Sequence, residues 1–251
     1  MNEPDEVAAI AAHAPRPLLV ATDIDGTLSP IVAKAAEARL AGGARPALAR
    51  LDGIDGVTVA VISGRPLREL REQFGFGVEL RLIGSHGLED SARSTPELDT
   101  DERQRLDEVT KELRSVASAV AGAWVEDKPA GAVLHVREAT TSAGDAALAH
   151  AEVRLGERTG VYLIPGHRVL EVTVRPTSKA AALQRLRAES GARTVLFAGD
   201  DVADEEVMAG LGPGDVGVRV GPGPSRARFR VQGPDHVVAM LDALAAHLEK
   251  R

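Results

Sequence analysis

Leu18-Leu19-Val20-Ala21-Thr22-Asp23-Ile24-Asp25-Gly26-Thr27 is the stretch from which the rest of the chain is read. Leu18 to Thr22 is an apolar run of strand length, and two carboxylates one residue apart follow it. On a strand that runs into a loop, Asp23 and Asp25 leave the C-terminal end together. Acids that close repel each other unless a cation or a shared proton lies between them. A hard divalent ion such as Mg²⁺ takes oxygen ligands and satisfies both. One Asp can then attack an electrophile as a carboxylate while the other handles a proton, and this arrangement asks for phosphoryl chemistry. A D-x-D-G run also opens calcium loops, but such a loop continues with alternating oxygen ligands and a closing Glu. Here Leu28, Ser29, Pro30 and Ile31 follow instead.

Outward from this stretch, strand and helix signals alternate. Ala33 to Leu51 reads as mostly helical, Val57 to Ile62 as a β-branched strand, Leu67 to Phe74 as a helix and Leu80 to Ile83 as a short strand. The pattern resumes late in the chain. Ser178 to Glu189 reads as a helix, Thr194 to Ala198 as a strand, Ala203 to Ala209 as a short helix, Val216 to Val220 as a strand and Pro234 to Leu248 as a closing helix. Repetition of this kind makes an α/β fold on a parallel sheet covered on both faces. The middle differs. A helix over Asp101 to Val120 precedes a hairpin around Lys128-Pro129-Ala130-Gly131, and a helix over Thr141 to Glu157 precedes a second hairpin around Pro165-Gly166-His167. The roughly 90 residues between Gly84 and Pro176 are far too many for a simple crossover. They read as an inserted α+β domain with a four-stranded antiparallel sheet and two helices, with hinges near residues 84–88 and 175–177.

Three further pieces of chemistry lie just beyond strands or at helix starts. Ser63 follows the Val57–Ile62 strand, where a hydroxyl and the turn's N–H groups can hold a phosphoryl oxygen, and Gly64 lets the backbone come close. Lys179 opens a helix after Pro176-Thr177-Ser178, placing a point charge beside the positive end of the helix. Gly199-Asp200-Asp201 follows the Thr194–Ala198 strand. Asp204, Glu205 and Glu206 beyond it are well explained as first-turn helix acids, whereas Asp200 and Asp201 face the same sheet edge as Asp23. In an open α/β sheet that edge is where ligands bind.

The 251 residues are 44% apolar and 27% charged, with a net charge of −7 and no Cys. These are values of a soluble globular protein, long enough for one large domain or two small ones. Aromatic content of 2% nearly removes base-stacking platforms, and the negative charge further argues against a nucleic-acid partner. A phosphate substrate stays open, because a metal and a few local cations dominate the field at a site. Without Cys there is no disulfide, thiolate nucleophile or Cys-based zinc site. Met1 to Ala14 is acidic and does not read as a secretory leader, and no apolar run approaches the ~18 residues of a membrane span. A cytoplasmic monomer with a small-molecule partner and no membrane partner is expected.

The order of acid pair, hydroxyl, Lys and acid pair resembles the haloacid dehalogenase superfamily of Mg²⁺-dependent phosphatases. The resemblance runs from about residue 16 to the C-terminus. Within the superfamily the chain looks like the trehalose-6-phosphate phosphatase branch. The superfamily segments are Asp23-Ile24-Asp25-Gly26-Thr27-Leu28, Ile62-Ser63-Gly64-Arg65 and Gly199-Asp200-Asp201. Gly84-Ser85-His86-Gly87-Leu88-Glu89, Val125-Glu126-Asp127-Lys128-Pro129, His135-Val136-Arg137 and Glu171-Val172-Thr173-Val174-Arg175-Pro176 carry the likeness to the branch. Ala180 stands where Gly is expected, and Ala203 where the branch usually has Thr.

The resemblance implies a Rossmann-like hydrolase core over residues 1–85 and 176–251 with a cap over 86–175. It implies Asp23 as the nucleophile that forms an aspartyl-phosphate and Asp25 as the acid and base. Ser63, Gly64 and Lys179 would hold the phosphoryl group. Asp23, the backbone carbonyl of Asp25, and Asp200 would bind Mg²⁺, with Asp201 and Asp204 in support. Glu126, Lys128 and Glu171 would recognise the distal glucose, assisted by Arg65, His86, His135 and Arg137. The implied reaction is hydrolysis of trehalose 6-phosphate. Related substrates with the same chemistry are glycosyl-3-phosphoglycerate, sucrose phosphate and a trehalose-like pseudodisaccharide phosphate; a non-catalytic sugar-phosphate sensor is the reading from another class.

Overall fold

The structure, a computed structural model, describes residues 1–32, 34–94 and 97–251. It divides into two compact units. Met1–Ser94 and Ser178–Arg251 form the first, and the chain between them forms the second. In chain order the elements are α1 (Pro4–His13), β1 (Leu18–Thr22), α2 (Ala44–Asp52), β2 (Val57–Ile62), α3 (Leu67–Glu72), β3 (Arg81–Gly84), β4 (Glu89–Asp90), α4 (Thr100–Ser118), β5 (Trp124–Lys128), β6 (Gly131–His135), α5 (Thr141–Leu155), β7 (Tyr162–Gly166), β8 (Val169–Thr173), α6 (Lys179–Ser190), β9 (Thr194–Gly199), α7 (Val202–Ala209), β10 (Val216–Val220), β11 (Phe229–Val231) and α8 (Pro234–Leu248).

In the first unit all five residues of β1 are buried. Strand side chains alternate faces, and here both faces are covered. Leu18 and Val20 enter one core with Val7, Leu48, Leu51, Leu241 and Leu244 of α1, α2 and α8. Leu19 and Ala21 enter the other with Leu183, Leu186, Val207 and Met208 of α6 and α7. This is why β1 reads as an unbroken apolar run.

The sheet order is β11-β10-β9-β1-β2-β3-β4. Every ladder is parallel except β3–β4, which adds a short antiparallel edge. The chain leaves β1 for β2 on one side and returns to β9 on the other. Thr22 is level with Val61 and with Ala198, so β9, β1 and β2 end together at the point where strand order reverses.

One detail differs from the sequence expectations. The helix expected over 33–51 starts at a residue outside the described set, and the described remainder is a 3₁₀ turn at Ala35–Glu37 followed by α2 from Ala44. Gly43 caps α2 with φ 90°, a left-handed value that glycine adopts without steric cost, and Gly42-Gly43 interrupts the Ala-rich run. The alternating Arg226, Arg228 and Arg230 fall on or before edge strand β11. The Arg230 guanidinium donates to the carbonyls of Gly221 and Gly223, and its N–H donates to Asn2 Oδ1, which ties the edge turn and the N-terminus together.

The second unit is the expected repeat of helix and hairpin. Its four strands run β5-β6-β8-β7, all antiparallel. Helix α4 opens with a capping box between Asp99 and Glu102. Leu134, Leu170 and Val172 on one sheet face pack with Leu113, Val116, Ala147 and Ala151 from α4 and α5. The expected insert begins at residue 86; residues 86–94 go with the first unit, where β4 extends the sheet and Asp90 pairs with Arg81 at 2.6 Å.

No helix among the described residues is long and apolar enough to cross a membrane.

Candidate active site

The loops after β9, β1 and β2 leave the sheet side by side, so register alone brings Asp23, Asp25, Ser63 and Asp200 to one edge. Gly26 turns the first loop with φ 84°, and a Cβ there would lie 1.9 Å from Asp200 Oδ2. Only glycine permits that approach. Thr27 Oγ1 then donates to Asp200 Oδ1 at 3.2 Å.

Lys179 opens α6, whose N-cap Ser178 accepts from the N–H groups of Ala180 and Ala181. The lysine is only 3% exposed. Its Nζ lies 2.9 Å from Asp23 Oδ1 and 2.8 Å from Asp204 Oδ1. Asp204 has no exposed surface, and its other oxygen accepts from the N–H groups of Asp200 and Asp201 at 3.0 and 3.1 Å.

One ammonium thus faces three acids. Carboxylate oxygens of Asp23, Asp200 and Asp204 all lie within 4.8 Å of one another. Burial pushes the Lys179 pKa down, but Asp204 and Asp23 more than reverse this and hold the amine charged. Burial raises Asp23 well above the ordinary carboxylate range, and Asp204, Asp200 and Asp25 add to the rise against the pull of Lys179. Asp200 is pushed up to about 7, chiefly by burial and then by Asp204. A net negative, oxygen-only donor set of this kind fits a hard divalent cation. Asp204 is committed to Lys179 and to the loop N–H groups, which leaves Asp23 and Asp200 as the acids best placed to hold an ion.

Arg65 is expected at the substrate, and the structure places it against Asp25. Its Nε and Nη2 donate to the two Asp25 oxygens at 2.6 and 2.8 Å. Nη1 donates to Glu69 and Gln73, and the second Nη2 hydrogen goes to the Ala35 carbonyl. All five guanidinium hydrogens are therefore placed, and the group fixes where the Asp25 carboxylate points.

Ser63 is 1% exposed, and its Oγ accepts from the Arg65 N–H at 3.2 Å, a bond that leaves the hydroxyl proton free to donate. Beside it, a Cβ on Gly64 would lie 2.5 Å from His86 Nε2. Ser85 and His86 take φ values of 46° and 54°, a strained region for residues with a Cβ. Bonds from Ser85 N–H to the Arg65 carbonyl and from His86 N–H to the Ser63 carbonyl hold this turn on the Ser63 loop.

In the second unit, Glu126, Lys128, His135 and Glu171 share the sheet face turned away from α4 and α5. Lys128 Nζ lies 2.5 Å from Glu171 Oε2, with both side chains buried. His135 Nε2 lies 2.9 Å from Glu126 Oε2. Burial raises the Glu126 pKa, and the His135 bond and the Lys128 charge outweigh it, so the net direction is down. Arg137 sits past the end of β6, where its Nε donates to the His167 carbonyl.

Two features escape a reading of the sequence. Asp204 is expected as a first-turn acid and, from the resemblance, in support of Mg²⁺, but not as the counterion of the buried Lys179. The Arg65–Asp25 pair spans 40 positions, and no local signal marks it.

Residues 21–235 match the family model described as trehalose-phosphatase. The chain is 31% identical over 250 residues to a trehalose-phosphate phosphatase of Mycolicibacterium paratuberculosis, covering 91% of this chain and 62% of that protein. It is 32% identical over 247 residues to a Mycobacterium tuberculosis protein described as an uncharacterized glycosyl hydrolase, covering 91% of this chain and 18% of that one. It therefore spans less than two thirds of either relative. Among solved structures, the C-terminal domain of a C. albicans trehalose-6-phosphate phosphatase superposes with a TM-score of 0.81 at 21% identity, over 97% of both chains, which is a likeness of fold.

Proposed function

The chain belongs to the trehalose-phosphatase family, and from that premise we propose that it is a Mg²⁺-dependent phosphatase releasing trehalose from trehalose 6-phosphate through an aspartyl-phosphate on Asp23. The observation that carries this reading is the buried Asp23–Lys179–Asp204 cluster with Asp200 beside it.

Asp23 attacks phosphorus with a carboxylate oxygen, and the bond from phosphorus to the sugar oxygen breaks. Lys179 anchors the attacking carboxylate and offers charge to the transferring oxygens. Ser63 donates its hydroxyl proton to one of them, and the Gly64 turn supplies close backbone. Asp25 gives a proton to the departing sugar oxygen, then takes one from the water that cleaves the aspartyl-phosphate and frees inorganic phosphate. Asp25 enters the first step carrying the proton it gives; the bidentate Arg65 contact fits the carboxylate left behind and positions it as the base of the second step. Asp23, Asp200 and the backbone carbonyl of Asp25 would hold Mg²⁺, which when bound supplies neutralisation of the phosphoryl charge. Phosphoryl transfer depends mainly on such positioning and charge. Glu126, Lys128 and Glu171 serve the sugar hydroxyls.

The test is a panel of phosphorylated sugars with phosphate detection, run with Mg²⁺ and with chelator. Trehalose 6-phosphate should be turned over fastest, only with the metal, and not at all by Asp23→Asn. Faster release from sucrose phosphate or glycosyl-3-phosphoglycerate would overturn the substrate, and turnover by Asp23→Asn would overturn the nucleophile.

A further inference from the structure

The chain has one Trp and one Tyr among its 251 residues. Its four Phe, at 74, 76, 197 and 229, are buried in the first unit. Trp124 and Tyr162 instead are 45% and 40% exposed, and both belong to the second unit's sheet.

Strand register places them on one face. Across the sheet, Trp124 is level with His135 and Val169. Glu126 is level with Val133, Glu171 and Ile164, and Lys128 with Gly131, Thr173 and Tyr162. These residues alternate with Val125, Leu134, Leu170 and Val172, which lie in the core with α4 and α5. The two exposed rings therefore mark opposite corners of the helix-free face, with Glu126, Lys128 and Glu171 between them.

Trp124 is held rather than mobile. Its indole stacks on the His135 imidazole with centroids 3.9 Å apart and planes within 3°. That imidazole is in turn bonded to Glu126. On this face Lys128 pairs with Glu171, and Glu126 is bonded to His135. What the face offers is carboxylate acceptors beside a rigid apolar plane. A pyranose ring has the matching chemistry, with hydroxyls around its rim and C–H groups on its flat sides. Aromatic rings with such a body bring contact area at little conformational cost.

We propose that Trp124 is a specificity-determining residue that stacks, through the indole face not covered by His135, on the non-phosphorylated sugar ring of the substrate. The inference rests on the sugar-phosphate reading above and adds to it a residue outside the charged set.

Because Trp124 is the chain's only Trp, its emission reports directly on this contact. The Asp23→Asn chain, titrated with trehalose 6-phosphate and with trehalose, should show a saturable change in emission that inorganic phosphate does not cause. In the otherwise intact enzyme, Trp124→Ala should raise KM for trehalose 6-phosphate about tenfold, the scale of one aromatic contact. It should leave turnover of an aryl phosphate unchanged, and Trp124→Phe should recover most of the loss. Binding of trehalose 6-phosphate by calorimetry with flat emission overturns the inference and leaves the substrate reading standing. An unchanged KM in Trp124→Ala overturns it equally, whatever the emission does. If the intact enzyme neither binds nor hydrolyses the sugar phosphate, both fall together. A Trp124→Ala chain that does not fold leaves the emission titration to decide.

Discussion

Replacing Arg65 by Lys separates two roles that a buried cation in this place can have. The guanidinium spans both Asp25 oxygens at 2.6 and 2.8 Å and also serves Glu69, Gln73 and Ala35, with the Phe74 ring 4.9 Å away. A lysine keeps the charge but presents three donors from one point, so it cannot bridge two carboxylate oxygens in a plane. At least one charge-assisted bond to Asp25 is lost, about 1.5–3 kcal/mol, together with neutral bonds of about 1 kcal/mol each. A net destabilisation of about 2–4 kcal/mol follows, which in a chain of this size lowers Tm by roughly 4–16 °C.

The kinetic consequence is larger and more specific. General acid–base catalysis contributes roughly 10²–10⁴-fold, and an Asp25 free to turn forfeits part of it. We expect kcat on trehalose 6-phosphate to fall about 100-fold, or ~2.7 kcal/mol of transition-state stabilisation. KM should stay nearly unchanged, because no guanidinium hydrogen is left to meet a ligand. An aryl phosphate, whose leaving group departs without a proton, should still phosphorylate Asp23 at speed, and the aspartyl-phosphate should then hydrolyse slowly, giving a burst of phenolate in stopped-flow. A raised KM with intact kcat would show that Arg65 binds substrate, and the positioning argument would fail.

Asp204→Asn should lower the free energy of unfolding by about 3 kcal/mol, near the cost of breaking a buried ion pair, because the new amide must set a donor against either Lys179 or the two loop N–H groups it now accepts from. Urea titration of folded, metal-free protein checks this, and a midpoint equal to that of the parent chain would contradict it. Asp90 predicts a pH dependence. Burial raises its pKa, but the Arg81 bonds and the Ala92 N–H outweigh burial and hold it below the ordinary value. A depressed folded pKa stabilises above the unfolded value of about 3.9 and loses that contribution as pH falls through the folded one. The stability gap between the parent chain and Asp90→Asn should therefore be full at pH ~6 and shrink below pH ~4; a gap independent of pH would refute the assignment.

What the sequence makes visible divides by physical cause. β1, β2 and β9 are readable because a strand buried on both faces must be continuously apolar, and their parallel register carries whatever follows them to one edge. Asp23, Asp25, Ser63 and Asp200 inherit their placement from that register alone. The two helix-hairpin repeats are readable from their periodicity and from turn residues such as Pro129-Ala130-Gly131. Helix α2 is misjudged at its start because the Ala-rich composition after residue 33 favours helix, while Gly42-Gly43 imposes a left-handed turn that overrides propensity. Asp204 is hidden for a different reason. A first-turn acid is favourable on any exposed helix, so its residue type says nothing about burial. Its function as counterion appears only when α7 is laid beside α6 and the Lys179 amine has nowhere else to go. Arg65 has the same character. Its partner is chosen by the fold and not by spacing, since α3 must first place Glu69 and Gln73 on the far side of the guanidinium before both remaining edges can close on Asp25. The groups that the sequence shows are thus those placed by strand ends, and those it conceals are the counterions that hold them. For the second class, a buried charge with no local partner is itself the signal to look for one.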